Sequence, residues 1–184
     1  KDFDPLDYAI KLGHSLGLEV HAWVNVYILW SNSSPPISKE HVYYLHPDWM
    51  EVNIHGKSDA NIDIEIPQSK NWEGIFLLPN HPKVNKYLSS IFKEILYSYN
   101  IDGLHFDYIR YHDDIYGFNK EGRVFFEKQY GFDPFDIERN IISTKYGWKQ
   151  TEIDSMKNIW ETHKTNNINN LLVKIKNLLD SLEI

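Results

Sequence analysis

The chain has 184 residues, 42% of them hydrophobic and 24% charged, and no cysteine; this is the composition expected of one soluble globular domain, without disulfides, thiolate zinc sites or cysteine nucleophiles. Nineteen Lys and Arg against 26 Asp and Glu leave a net charge of −7, which disfavours a broad grip on nucleic-acid phosphates or an anionic bilayer and favours a neutral or cationic partner. No run approaches the roughly 20 apolar residues of a membrane span, and the stretch Lys1-Asp2-Phe3-Asp4-Pro5 lacks the apolar core of a signal peptide.

In chain order, Leu6, Ala9, Ile10, Gly13 and Leu16 share one helical face, with Asp4 as N-cap, Pro5 at the first helical position and Gly17 as the stop. Residues 18–25 then alternate: Leu18, Val20, Ala22 and Val24 on one side, Glu19, His21, Trp23 and Asn25 on the other, the pattern of a strand. From 27 to 80 the periodicity breaks into turn-rich stretches and short β-like runs at 49–54, 62–66 and 75–78. This reads as a long insertion holding a small hairpin, and a loop of that length is expected to serve function, here as one wall of a cleft. Val84, Tyr87, Leu88, Ile91, Phe92, Ile95, Leu96 and Tyr99 mark a helix after the start signal Asn80-His81-Pro82. A second strand follows over 101–107, with Leu104 and Phe106 on one face and Gly103, His105 and Asp107 on the other. Further helices are expected over 120–130, over 134–144 and from about 154, the last with Ile168, Leu171, Leu172, Ile175, Leu178, Leu179 and Leu182 on its face. Helix and strand alternating with short joins is the pattern of a parallel α/β sheet.

In a barrel of parallel strands, side chains alternate between the helical layer and the interior, and the C-terminal strand ends open into the active site. Asp107 stands at such an end, and His105 shares its parity. On the first strand His21, Trp23 and Asn25 point to the same rim, so two strands aim polar groups at one place. Burying His and Asp where a hydrophobe would sit costs stability unless the groups are paired or used. The alternatives for Asp107 are an N-cap or an ion pair with Arg110, and His21 serves equally as a hydrogen-bonded core histidine. Aromatic residues make up 15% of the chain, a surplus that fits sugar-ring stacking as well as core packing; Trp23, Trp30, Trp49 and Trp72 are the candidates.

The run Asp102-Gly103-Leu104-His105-Phe106-Asp107-Tyr108-Ile109-Arg110-Tyr111 resembles the signature of bacterial glycosyl-hydrolase-like family 10, a (β/α)₈-barrel family. Three further motifs agree in order: Gly17-Leu18-Glu19-Val20-His21-Ala22-Trp23-Val24-Asn25, His46-Pro47-Asp48-Trp49, and Leu78-Pro79-Asn80-His81-Pro82-Lys83-Val84. Residues 102–107 are also similar, more loosely, to the fourth-strand signature of α-amylase-type barrels, in which Arg stands where His105 stands here. The resemblance implies part of a (β/α)₈ barrel spanning 1–184 that cleaves a glycosidic bond in a bacterial polysaccharide or cell-wall glycan. Asp107 would be the catalytic acid centre, and His21, Trp23, Asn25, His105, Tyr108, Arg110 and Trp49 would bind substrate. It implies an extracellular or cell-envelope setting and calls for no cofactor.

Glycoside hydrolysis needs two carboxyl groups flanking the bond. The second is expected on a later strand, with Asp113, Asp114 and Glu121 as substitutes within the chain. The family tends to carry paired Arg residues after a Trp of the final helix, whereas here Trp160 is followed by His163, Lys164 and Thr165. With two barrel strands in 184 residues, closure is expected from further chain or from self-association. Two rival readings stay open: a carbohydrate-binding or scaffolding barrel without catalysis, and a metal-dependent hydrolase drawing ligands from His21, His105, Asp107, His112, Asp113 and Asp114. A glycine-rich phosphate loop and a GxSxG elbow are both missing from the sequence, against nucleotide chemistry and an α/β-hydrolase.

Overall fold

The structure is a computed structural model that describes residues 3–32, 34–61, 72–138 and 145–182. Helix α1 covers Pro5–Ser15. Asp4 caps it as expected, its Oδ1 accepting the backbone N–H groups of Leu6 and Asp7 at 3.0 and 3.1 Å, and Gly17 leaves it with φ 72°, a turn most residues resist. Gly13 faces inward because there is no room for more: a Cβ there would lie 2.5 Å from Val20 Cγ2. Its absence lets α1 close onto the chain entering the sheet.

Strands β1 (His21–Asn25) and β4 (Gly103–Asp107) pair in parallel, with His21 opposite Gly103, Trp23 opposite His105 and Asn25 opposite Asp107. β1 begins three residues later than the alternation from Leu18. The crossover between them contains an antiparallel pair, β2 (Ile28–Trp30) with β3 (Ile75–Phe76), a short helix α2 (Val42–Leu45), and the long helix α3 (Val84–Ser98). The run expected at 49–54 is not a continuous strand. A single 3₁₀ turn at Pro47–Trp49 leads into isolated bridges joining Met50 to Leu77, Val52 to Ser58 and Asn53 to Tyr116. The run expected at 62–66 lies outside the described residues.

After β4 come α4 (Lys120–Tyr130), capped by Asn119, α5 (Pro134–Glu138) and the 33-residue α6 (Gln150–Leu182). Residues 139–144, where the second of these was expected to continue, lie outside the described residues. α6 starts four residues before the periodicity at 154 indicates, because Ile153 is already buried, and its length is about 50 Å.

The sheet has two unlike faces. Val24, Leu104 and Phe106 pack into the main core with α3 residues Val84, Leu88 and Phe92 and α6 residues Leu171 and Ile175. Phe92 meets Phe106 edge-on, ring centroids 5.4 Å apart, a favoured aromatic geometry. A second core joins Phe118, Phe126, Phe132, Phe135 and Trp160, and a third joins Ile10, Leu96 and Ile101 beside Val20 and Ala22. His21, Trp23, Asn25 and His105 emerge on the opposite face, exposed. At the N-terminal end of β4, Asp102 ties α1 to the sheet: its Oδ2 accepts the Val20 N–H at 2.6 Å and lies 2.8 Å from His14 Nε2. These contacts, the Val20 bond first, hold the Asp102 carboxyl below its usual range. The architecture is mixed α/β, a parallel pair with helices against its apolar face. Among the described residues no helix is long and apolar enough to cross a membrane.

Candidate active site

Strand parity decides the chemistry at the C-terminal end of β4. Leu104 and Phe106 are drawn into the core, so the intervening His105 and the terminal Asp107 face the other way. Asp107 is half-buried. Its Oδ1 accepts the N–H of Tyr108 at 2.7 Å and its Oδ2 accepts the indole N–H of Trp23 at 3.2 Å. Trp23 is 69% exposed, and its ring tilts against His105 with centroids 4.6 Å apart. An apolar plane open to solvent therefore stands beside a carboxylate whose orientation is set from two sides. Asn25 lies exposed at the same strand end, opposite Asp107 in register. His21 sits four residues before Asn25, its Nε2 3.3 Å from Glu19 Oε2; a Cβ on Gly103 would come within 2.5 Å of its ring, so the glycine makes the space the imidazole fills.

Immediately after Asp107 the backbone reverses. Tyr108 has φ 50°, the single non-glycine residue with positive φ among the described residues. Such a conformation costs of order 1–3 kcal/mol and persists where the surroundings hold it; here Tyr108 packs edge-on against Phe76. The turn carries Arg110 away from Asp107. The guanidinium pairs with Glu73, donates to the carbonyls of Tyr111 and His112 at 3.1 and 2.7 Å, and lies over the rings of Phe76 and Tyr108. The ion pair that the sequence offered as an alternative for Asp107 is made with Glu73 instead, because the insertion brings that carboxylate to Arg110.

The tryptophans of the insertion occupy other surroundings. Trp49 is 5% exposed, sandwiched against His46 at 3.9 Å and in contact with His81 and Tyr87. Trp30 donates to the carbonyl of Ser34, and both Trp30 and Trp72 pack against the main core. Trp49 thus has no open face, and of the aromatic candidates Trp23 presents one. Asp113, Asp114 and Glu121 are exposed.

Sequence reasoning missed a buried acidic network just behind the turn. Glu51 is completely buried; its Oε2 accepts the Gly117 N–H at 2.9 Å and its Oε1 has no hydrogen-bond partner. Burial first, and then the charge of Asp59, push its carboxyl well above the usual range, because both disfavour the ionised form. Asp59, 1% exposed, accepts the Phe76 N–H at 3.2 Å and lies 3.1 and 3.2 Å from His112 Nδ1. His112 in turn stacks on Phe76 at 4.6 Å. Residues 51 and 59 thereby fix the loop after β4 from below. A polar cavity of about 410 Å³ opens beside it, between Arg110, Asp114, Glu161 and Lys164. Lys164 is 7% exposed, with Nζ 3.2 Å from Glu161 Oε2 and 3.4 Å from the Asp114 carbonyl. The sequence signal for Glu51 was a lone carboxylate in the apolar run Trp49-Met50-Glu51-Val52, which periodicity cannot separate from an exposed strand position.

The ligands offered for a metal do not gather. His21 turns to Glu19, His105 to Trp23 and His112 to Asp59, and among the described residues no group of three or more His, Asp or Glu side chains is placed to hold one ion.

Comparison with known proteins places the chain in a family. The family model described as glycosyl hydrolase-like 10 matches residues 1–183. The chain is similar to the glycosyl hydrolase DigH of Escherichia coli K12, 27% identical over 115 residues, covering 57% of this chain and 22% of that protein. It is similar to the glycosyl hydrolase YngK of Bacillus subtilis, 28% identical over 139 residues, covering 72% of this chain and 23% of that protein. An S-layer-related protein of Niallia circulans is 25% identical over 130 residues, covering 71% of this chain and 8% of that protein. The matched region thus spans less than a quarter of each of these relatives. With its family model matched almost from end to end, the chain belongs to the glycosyl hydrolase-like 10 family.

Proposed function

We propose that the polar face of the β1–β4 pair is part of the active site of a glycoside hydrolase built on a (β/α)₈ barrel, with Asp107 as its acidic centre and a bacterial polysaccharide or cell-wall glycan as substrate. The observation that carries this reading is the pairing of Asp107 with the exposed Trp23 at the C-terminal ends of two parallel strands. A sugar ring offers one apolar C–H face and a rim of hydroxyls. The Trp23 plane suits the first, and Asn25 and His105 suit the second. Once the ring is seated, Asp107 stands where a carboxylate can attack the anomeric carbon or stabilise an oxocarbenium-like transition state.

In this reading the insertion over 27–80 forms a wall of the cleft and secures Arg110 through Glu73. Tyr108 and Arg110 line the edge, and a second carboxyl group comes from outside the β1–β4 pair. The names of the relatives, glycosyl hydrolases and an S-layer-related protein, favour a substrate of the cell envelope. The test is turnover by the complete protein with cell-wall and amino-sugar polymers. Asp107→Asn should lower kcat by about 10³-fold or more while leaving glycan affinity within a few-fold, since Asn keeps the shape and loses the charge. Near-normal turnover in that variant would overturn the assignment and favour a carbohydrate-binding barrel.

A further inference from the structure

A second cleft, of about 500 Å³, lies between the first turn of α3, the C-terminal half of α4 and the middle of α6, and shares no lining residue with β1, β4 or the turn after β4. Its composition runs against the chain as a whole. None of the residues that line it is acidic, although the net charge of the protein is −7. Along α6 the positions 163, 167, 170 and 174 fall on one stripe at helical spacing, which turns the run Asn166-Asn167-Ile168-Asn169-Asn170 into one wall of amides. Asn167 is spent on the fold, donating to the His163 carbonyl at 2.8 Å. Asn166 and Asn170 are exposed in the cleft with Gln129 facing them from α4.

Two cations, Lys86 and Lys174, stand exposed in the same cleft. The α3 N-terminus adds to them, because its N-cap residue Lys83 provides no side-chain hydrogen bond and the partial positive charge of the helix end is left for a ligand. Phe125 and Tyr130, 45% and 38% exposed, supply apolar faces. The independent observation that points to a ligand is His163. It lines the cleft, is 5% exposed, and its Nε2 is buried without a hydrogen-bond partner. A buried polar atom of this kind is costly to leave without a partner. Burial also holds its imidazole down to about 4, so that the ring is neutral and has both an N–H and a lone pair.

We infer that this cleft is a second saccharide site, selective for a sugar that carries a carboxylate. Lys86 and Lys174 meet the carboxylate, Gln129, Asn166 and Asn170 meet the hydroxyls, and Phe125 and Tyr130 cover an apolar ring face. The choice of a sugar rests on the glycoside reading above; the preference for an acidic one rests on the cleft alone. A chain held here would stay at high effective concentration near the cutting site.

The test is an NMR and calorimetric titration of the protein with trigalacturonate and, as the neutral control, maltotriose. Trigalacturonate should shift the His163 imidazole resonances and bind at least about tenfold more tightly than maltotriose at low salt. The surface variant Lys86→Glu/Lys174→Glu should lose about tenfold or more of that affinity, Asn166→Ala/Asn170→Ala should weaken both sugars, and Trp23→Ala should leave the His163 shifts unchanged. Equal binding of the two sugars, or trigalacturonate binding indifferent to the lysine variant, overturns the inference. Binding lost only in Trp23→Ala also overturns it and leaves the proposed active site standing. Binding in this cleft alongside full turnover by Asp107→Asn supports the cleft and removes the catalytic reading.

Discussion

Trp23 and Asp107 are joined across two parallel strands, the indole N–H donating to Oδ2 at 3.2 Å, although they are not opposite each other in register: Trp23 faces His105 and Asn25 faces Asp107. The contact is diagonal, and it uses the long Trp side chain to reach the strand end. One residue therefore supplies both a stacking plane and the donor that sets the carboxylate. Trp23→Phe separates the two roles. It keeps the plane and loses a hydrogen bond to a charged group, worth about 1.5–3 kcal/mol, so kcat should fall about tenfold or more with KM within about threefold. Trp23→Ala should raise KM as well. Steady-state kinetics of the complete protein on its glycan decides both, and an unchanged kcat in Trp23→Phe would show that the N–H does not orient Asp107.

At the other end of β4, Asp102→Asn should leave turnover unchanged and lower stability. The Asp102 carboxyl is held below its ordinary value of 3.8 in the fold. The unfolded chain takes up the proton first as pH falls, so the stability this group contributes is present above about pH 4 and is lost as pH drops through the folded value. Thermal melts should show the variant below the wild type at pH 7 and the gap closing toward pH 2.5.

Glu51→Gln should behave in the opposite sense. Its carboxyl is raised well above 4.5, so the unfolded chain releases the proton first as pH rises. The contribution of the acid form is therefore fully present below about pH 4.5 and declines as pH climbs toward the raised folded value. Gln retains an acceptor for the Gly117 N–H and does not ionise. The difference in Tm, variant minus wild type, should grow from pH 4.5 to pH 8, and a difference independent of pH would show that Glu51 is not buried as described.

Phe126 is fully buried and touches the rings of Tyr130, Phe132, Trp160 and His163. Phe126→Ala leaves a cavity that this ring cluster cannot close, and should cost about 3–5 kcal/mol, a fall in Tm of roughly 6–20 °C. Denaturant unfolding measures it directly, and a loss under about 1 kcal/mol would mean that the second core collapses to fill the space.

Local chemistry made part of the protein legible from residue order. Asp4, Pro5 and Gly17 bracket α1 because caps and stops act on backbone groups within a few residues. The alternation in 18–25 and 101–107 already separates Val24, Leu104 and Phe106 from Trp23, His105 and Asp107, because a strand has no way to turn neighbouring side chains to the same face. The α3 face of Leu88, Phe92 and Leu96 follows equally from a period of 3.6. These features depend on the chain's own geometry, so they survive without knowledge of what packs against them.

Partnerships across the insertion were decided only by the tertiary structure. Glu51 meets Gly117 across 66 positions and His112 meets Asp59 across 53. Arg110 chose Glu73 over Asp107, and Trp49 went under His46 into the core. The stretch that makes these contacts has no sustained period to betray which side is buried, and a carboxylate in an apolar run looks the same whether water or protein covers it. Only the packing of residues 49–59 and 75–77 onto α3, α6 and the turn after β4 removes that water. The same packing raises the Glu51 carboxyl, because an ion without solvent or a close counter-charge is the more costly form.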